Sequence, residues 1–170
     1  MQSNRRKRSY GFTILEVLLT LVLISIFAAV AVMRQPPPDV SLKAGAEQLK
    51  SHLRYAQTMA MNAATPWGIR LSAGVYSLFQ CSPTVSVIDC AANSANWRIL
   101  PGESQTNVDY LVQKAVTITQ GDFIVSFDSW GRPIIQTGAL AFSSGEAAVT
   151  LAKSDQTETL SIVENTGFVH

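Results

Sequence analysis

The feature that most constrains this chain is the run from Phe12 to Met33, which is almost wholly apolar yet carries one carboxylate, Glu16. Arg5, Arg6, Lys7 and Arg8 stand just ahead of it. An α-helix of about twenty residues, rising about 1.5 Å per residue, reaches roughly 30 Å, the depth of a bilayer's hydrocarbon. A basic cluster before such a run orients it with its positive end in the cytoplasm. A cleaved secretory signal has a shorter apolar region followed by a small-residue cleavage site. Ala28-Ala29-Val30-Ala31 offers such a site, so cleavage there stays open as an alternative. The length of the run and the presence of Glu16 favour an anchor.

The remainder has to supply everything else. At 170 residues the chain has room for one modest domain beyond the anchor. Its mean hydropathy of +0.18 is high for a soluble protein of this size, and much of the excess sits in the first few dozen residues. From Lys43 onward the composition is mixed and rich in Ser and Thr. Charge is divided just as unevenly. Without the first eleven residues, nine basic residues face twelve acidic ones, a net charge of −3. A general phosphate-binding surface needs clustered Lys and Arg, so the bulk charge shows no nucleic-acid footprint.

Glu16 is costly among lipid tails, and an ionisable group there points to a function with a partner nearby. Cutting the peptide bond after Gly11 would create an α-amino group on Phe12, one helical turn from Glu16. That ammonium could pair with the carboxylate within one protomer or between neighbours. A Glu resting in the headgroup zone is the plainer alternative for this residue taken alone.

Taken together, Gly11-Phe12-Thr13-Ile14-Leu15-Glu16, with basic residues before and Val17-Leu18-Leu19 after, resembles the class III signal of type IV pilins and pseudopilins. The resemblance implies cleavage between Gly11 and Phe12 by a prepilin peptidase and N-methylation of Phe12. It assigns Glu16 to assembly, paired with a neighbour's N-terminus. It further implies an inner-membrane, single-pass subunit with a periplasmic domain, recruited by a membrane assembly platform into a filament with other pilins or pseudopilins.

Cys81 and Cys90 are the two cysteines. A disulfide closing a short loop and a pair of buried thiols both fit, and an exported domain favours the disulfide. Such a loop contributes roughly 2–3 kcal/mol. A metal site would need more ligands than His52 and His170 provide, so no metal or cofactor is expected.

Four segments are expected: a leader over 1–11, a transmembrane or filament-core helix over 12–33, a Pro-rich break over 34–38 and a domain over 39–170. Pro36-Pro37-Pro38 interrupts the helix, because proline lacks an amide donor and pushes the preceding residue to extended geometry. A second helix follows, capped by Asp39 or Ser41. Its apolar stripe runs through Leu42, Ala46, Leu49, Leu53, Ala56, Ala60 and Ala63, leaving Lys43, Glu47, Lys50 and Arg54 in water. Met59 and Met61 read as gap-filling packing.

Beyond Thr65-Pro66 the pattern becomes strands. Trp67–Leu71 and Val75–Gln80 flank a turn at Ser72-Ala73-Gly74, and a loop covers 81–96. Further strands are expected at Trp97–Leu100, Ala115–Thr119, Phe123–Phe127, Pro133–Gln136, Ala147–Ala152 and Thr159–Val163. A long N-terminal helix and then an antiparallel sheet make an α+β class, which matches the pilin-like fold.

Within that family the chain resembles the H-type minor pseudopilins and their pilus relatives. Leu53-Arg54-Tyr55-Ala56-Gln57-Thr58-Met59-Ala60 is similar to the helix before their first hairpin. Phe127-Asp128-Ser129-Trp130-Gly131-Arg132-Pro133 is similar to their F-D-x-x-G-R-P turn, and Thr166-Gly167-Phe168-Val169-His170 to their terminal T-G-x-V. Physically, Gly131, Arg132 and Pro133 form a structural turn, with Gly131 at positive φ and Arg132 bonding backbone or an acid. The tail, with the cysteine pair, leans toward a minor pilin of a mannose-sensitive-haemagglutinin-like pilus rather than a type II secretion pseudopilin. Relatives that capture DNA carry arginines in this tail; Phe168 and His170 stand here, which argues against nucleic acid as a partner.

No enzymatic arrangement is legible. A nucleophile needs a base and an orienting group, and His52 beside Ser51 reads as a surface pair on one helix. Asp122 and Asp128 are explained by turns. Phosphate-loop, dinucleotide and metalloprotease motifs are missing. The expectation is a minor subunit that assembles rather than turns over substrate. The rivals are a DNA-binding minor pilin and a bitopic, membrane-anchored periplasmic binding protein.

Overall fold

The computed structural model describes residues 13–33, 38–137 and 140–170. Gly11, Phe12 and most of the Pro-rich segment lie outside these residues. The chain divides into two compact units, one ending at Pro37 and the other running Pro38–His170.

Among its described residues the first unit contains one helix, α1 (Ile14–Met33). The second begins with α2 (Pro38–Ala63). Pro38 occupies the first helical position, where a missing amide donor costs nothing and the fixed φ suits the helix. Asp39 and Ser41 therefore lie inside the helix rather than at its cap. The Ser41 hydroxyl accepts a 2.6 Å hydrogen bond from Lys153 Nζ. Leu42, Ala46, Leu49, Leu53, Ala56 and Ala60 are buried along one stripe. Ala63 falls beyond it and is exposed. Ala64 turns out of the helix at φ 52° ahead of Thr65-Pro66.

The strands form two antiparallel sheets where the sequence suggested one. In the larger, β1 (Trp67–Ser72) pairs with β2 (Val75–Gln80) across a turn whose Ala73 and Gly74 both have positive φ. That geometry matches the right-handed twist of the strands. β1 also pairs with β6 (Phe123–Phe127), and β6 with β7 (Pro133–Thr137). The short strands β3 (Trp97–Arg98) and β4 (Asn107–Val108) add to β2. The smaller sheet has the order β5 (Thr117–Ile118), β8 (Glu146–Lys153), β9 (Gln156–Val163).

The stripe of α2 packs against both sheets. Ile69, Leu71, Val125, Phe127, Val149, Leu151 and Ile162 complete this core. Alternation along β8 sends Ala147, Val149 and Leu151 inward, as a half-buried strand requires. Gly68 has no room for a side chain: a Cβ there would lie 2.6 Å from a Phe79 ring carbon.

The opposite face of the larger sheet has its own cover. Residues 81–96, expected as a loop, contain the helix α3 (Val87–Ala92) and a 3-10 turn at Ser94–Asn96. Cys81 and Cys90 are joined in a disulfide with their Cα atoms 5.7 Å apart. With Phe79, Ala91 and Ile124 they form a second, small core flanked by Val87 and Trp97. Six residues are too few to form a helix by propensity, so packing and the crosslink hold it. The expected strand from Ala115 starts at Thr117 because residues 110–113 form a short helix, α4 (Tyr110–Gln113), closed by Ala115 at φ 54°.

Candidate assembly interface

The two ends of this chain place their polar groups in opposite ways, and the N-terminal end is the simpler. Thr13 caps α1: its hydroxyl accepts from the Glu16 amide at 3.3 Å, and its carbonyl accepts from the same amide at 3.1 Å. Threonine three residues before glutamate is the spacing of a capping box. Thr20 and Ser25 donate to the carbonyls of Val17 and Leu21, at 2.9 and 2.6 Å. Each hydroxyl is thus satisfied by its own helix, as an apolar medium demands.

Glu16 differs. Its carboxylate has no hydrogen-bond or ion-pair partner among the described residues. Every described side chain from Thr13 to Ala29 is exposed, with Leu15 at 78% and Phe27 at 72%. A helix that is apolar all round is built to be surrounded by apolar matter. Gly11 and Phe12, the expected cleavage and methylation residues, lie outside the described residues. Among the described residues no helix is long and apolar enough to cross a membrane.

The family model for the prokaryotic N-terminal methylation motif matches residues 6–32. The match supports a type IV pilin-like protein, processed by a prepilin peptidase and assembled with other pilins. It spans Arg6, Lys7, Arg8, Gly11, Phe12, Glu16 and nearly all of α1. The α+β order of the chain, helix first and antiparallel sheets after, is consistent with the pilin-like fold. No curated protein and no solved structure matches the chain.

At the other end the structure brings together the three stretches that resemble one branch of the family. Arg54 on α2 donates to the Val169 carbonyl through Nε and a terminal guanidinium nitrogen, at 3.1 and 2.7 Å. Gln57 Nε2 donates to the Gly131 carbonyl at 2.9 Å and the Thr166 carbonyl at 2.8 Å. One helix face therefore holds both the 128–133 turn and the C-terminal tail. The tail adds to β9 as well: the Ser161 and His170 backbones exchange two 3.0 Å hydrogen bonds, and Val169 is fully buried. Gly167, at φ 64°, passes so close to Gly131 and Gln57 that a Cβ would collide with both.

The turn itself is organised by Asp128. One carboxylate oxygen accepts from the amides of Trp130 and Arg132, both at 2.9 Å; the other accepts from Arg132 Nε and a terminal nitrogen, both at 2.8 Å. Partial burial opposes ionisation of Asp128. The amides and the Arg132 guanidinium together outweigh it and hold the carboxyl below the ordinary carboxylate value. Gly131 has φ 77°. Gly131, Arg132 and Pro133 thus sit in a tightly bonded turn whose guanidinium is committed to an acid.

One reading is overturned. His52 is not a surface residue but is 4% exposed, with Nδ1 2.9 Å from the Tyr76 hydroxyl. Its position, three residues after Leu49 and four before Ala56, was the signal that could have placed it inside.

Proposed function

We propose that this chain is a minor pilin or pseudopilin subunit, cut between Gly11 and Phe12, methylated on Phe12 and assembled through α1. Before assembly, the apolar run from Phe12 to Met33, which extends beyond the described part of α1, holds the subunit in the bacterial inner membrane as a single pass with its domain in the periplasm. The observation that carries this reading is a helix whose described side chains from Thr13 to Ala29 are all exposed and whose Glu16 carboxylate has no partner among the described residues. An unpaired carboxylate in lipid is penalised by about 2.5–3.5 kcal/mol at a helix centre and by less near an end. Docking that offers it the Phe12 ammonium of a neighbour removes the penalty, so charge pairing sets the register while apolar packing supplies the contact. The work of the chain is then assembly rather than turnover.

Several features support the H-type minor branch over the rivals. Three stretches resembling that branch form one bonded unit. The acidic balance beyond residue 11 and the commitment of Arg132 to Asp128 leave little to attract DNA. Blotting the native host's protein beside Gly11→Ala tests the central claim. The wild type should migrate faster by the mass of its leader, and the variant should stay out of filaments. A wild type that keeps its leader would reduce the chain to a bitopic membrane protein.

A further inference from the structure

The function proposed above makes no use of the buried polar cluster between α2, β2 and the 101–106 turn. His52 on α2 and Tyr76 on β2 are both nearly inaccessible, at 4% and 1% exposure. Their rings are 5.7 Å apart, and the imidazole nitrogen meets the phenol oxygen at 2.9 Å. The neighbouring turn is anchored at either side by buried Leu100 and Val108. Between these anchors Glu103, half-buried, accepts a 2.7 Å hydrogen bond from Gln48 Nε2, one helical turn before His52. The groups acting electrostatically on the imidazole are the Glu103 carboxylate and the Pro101 carbonyl; Glu103 acts on the Tyr76 phenol as well. Two buried titratable groups thus share the electrostatic influence of one carboxylate on a neighbouring turn.

The proton inventory of such a cluster has two settings. With a neutral ring whose proton is on Nε2, Tyr76 O–H donates to Nδ1, and Glu103 is free to accept from Gln48. When the ring takes a proton from solvent, Nδ1 becomes a donor and the phenol oxygen must accept. The Tyr76 O–H then needs a new acceptor, and a buried cation needs a counter-charge. Glu103 is the carboxylate that can serve both needs, and turning to them takes it away from Gln48.

We propose that His52, Tyr76 and Glu103 form an acid-operated latch, in which protonation of His52 exchanges the Glu103–Gln48 bond for contacts with the buried pair and re-seats the 101–106 turn on α2. Burial holds the imidazole's proton affinity below that of a free histidine, while Glu103 and Pro101 push the other way, so the exchange belongs to mildly acidic conditions.

The test is amide hydrogen exchange of the 101–106 turn in the full-length chain in detergent, from about pH 7.5 to about pH 5, with rates corrected for intrinsic exchange. The wild type should show protection in this turn changing by about tenfold or more across the range, while the strands β8 and β9 hold steady. His52→Gln keeps a hydrogen-bonding side chain without a titrating one and should flatten the profile. Glu103→Gln, on the half-exposed turn and away from the core, should leave the wild-type fold intact and reduce the change to within about twofold. A flat wild-type profile would overturn the latch. So would a Glu103→Gln profile identical to the wild type, which would assign any acid response to general loosening of the domain.

Discussion

Helix α1 and helix α2 follow one another in the chain and are both long, yet they treat apolar surface and polar groups in opposite ways. On α1, every described residue from Thr13 to Ala29 is exposed, and hydroxyls are satisfied by the helix itself. On α2, one stripe is buried, and side chains reach outward to other elements: Arg54 to Val169, Gln57 to Gly131 and Thr166, Gln48 to Glu103. Among its described side chains from Thr13 to Ala29 the first helix buries none, whereas the second defines the core around which the domain closes. The difference is one of hydrophobic pattern. A helix apolar on all sides has no preferred face, whereas a striped one has a single face to bury.

The largest expected effect is on the core of α2. Leu53→Ala should lower the domain's unfolding free energy by about 2–5 kcal/mol in chemical denaturation, since it opens a cavity at a fully buried position. Leu18→Ala on α1, equally apolar but exposed, should change that free energy by less than about 0.5 kcal/mol. Equal losses would erase the contrast between the helices. Next comes the crosslink: Cys81→Ser with Cys90→Ser should cost about 2–3 kcal/mol and release α3 first, seen as early proteolysis within 82–96.

Glu16→Leu sharpens the other side of the comparison. Membrane insertion should be unchanged, because the helix becomes more apolar, while incorporation into filaments falls by about tenfold, measured by comparing sheared filaments with the membrane fraction. Normal incorporation would remove the register role from Glu16. The smallest effect is at Asp128. Because Arg132 is mostly exposed, Asp128→Asn should cost only about 0.5–1 kcal/mol at neutral pH. Its folded-state carboxyl is held below the ordinary value, so this contribution is present above about pH 4 and disappears as pH falls through the folded value. Wild type and variant should therefore converge in stability in acid; a gap that persisted there would assign the loss to packing instead.

Local signals carried much of this structure. The stripe of α2 from Leu42 to Ala60, the Ala73–Gly74 hairpin and the strands Phe123–Phe127 and Pro133–Gln136 are short-range patterns, and they appear where period and turn residues placed them, the last strand running one residue further to Thr137. His52 shows where this kind of reading fails. Its spacing put it on the buried face, but its chemistry argued for water; burial succeeds because Tyr76, 24 residues away, supplies the hydrogen bond. The helix α3 was illegible for a similar reason, since six residues gain their helical form from the sheet face and the crosslink beneath them. The division into two sheets depended on β5 joining the expected closing hairpin of β8 and β9 and on that hairpin staying apart from β7, and nothing within the strands records either choice.

By itself, then, the order of residues determined a basic cluster, a cleavable-looking Gly-Phe step and a helix with one acid in its first turn, because those depend on spacing along a single segment. Only the tertiary structure decided that Arg54 and Gln57 would hold the 128–133 turn and the tail together, and that an imidazole would lie buried against the Tyr76 hydroxyl. Such contacts join residues up to 115 positions apart. They are chosen by which surfaces meet once the core has closed, and no local period records that choice.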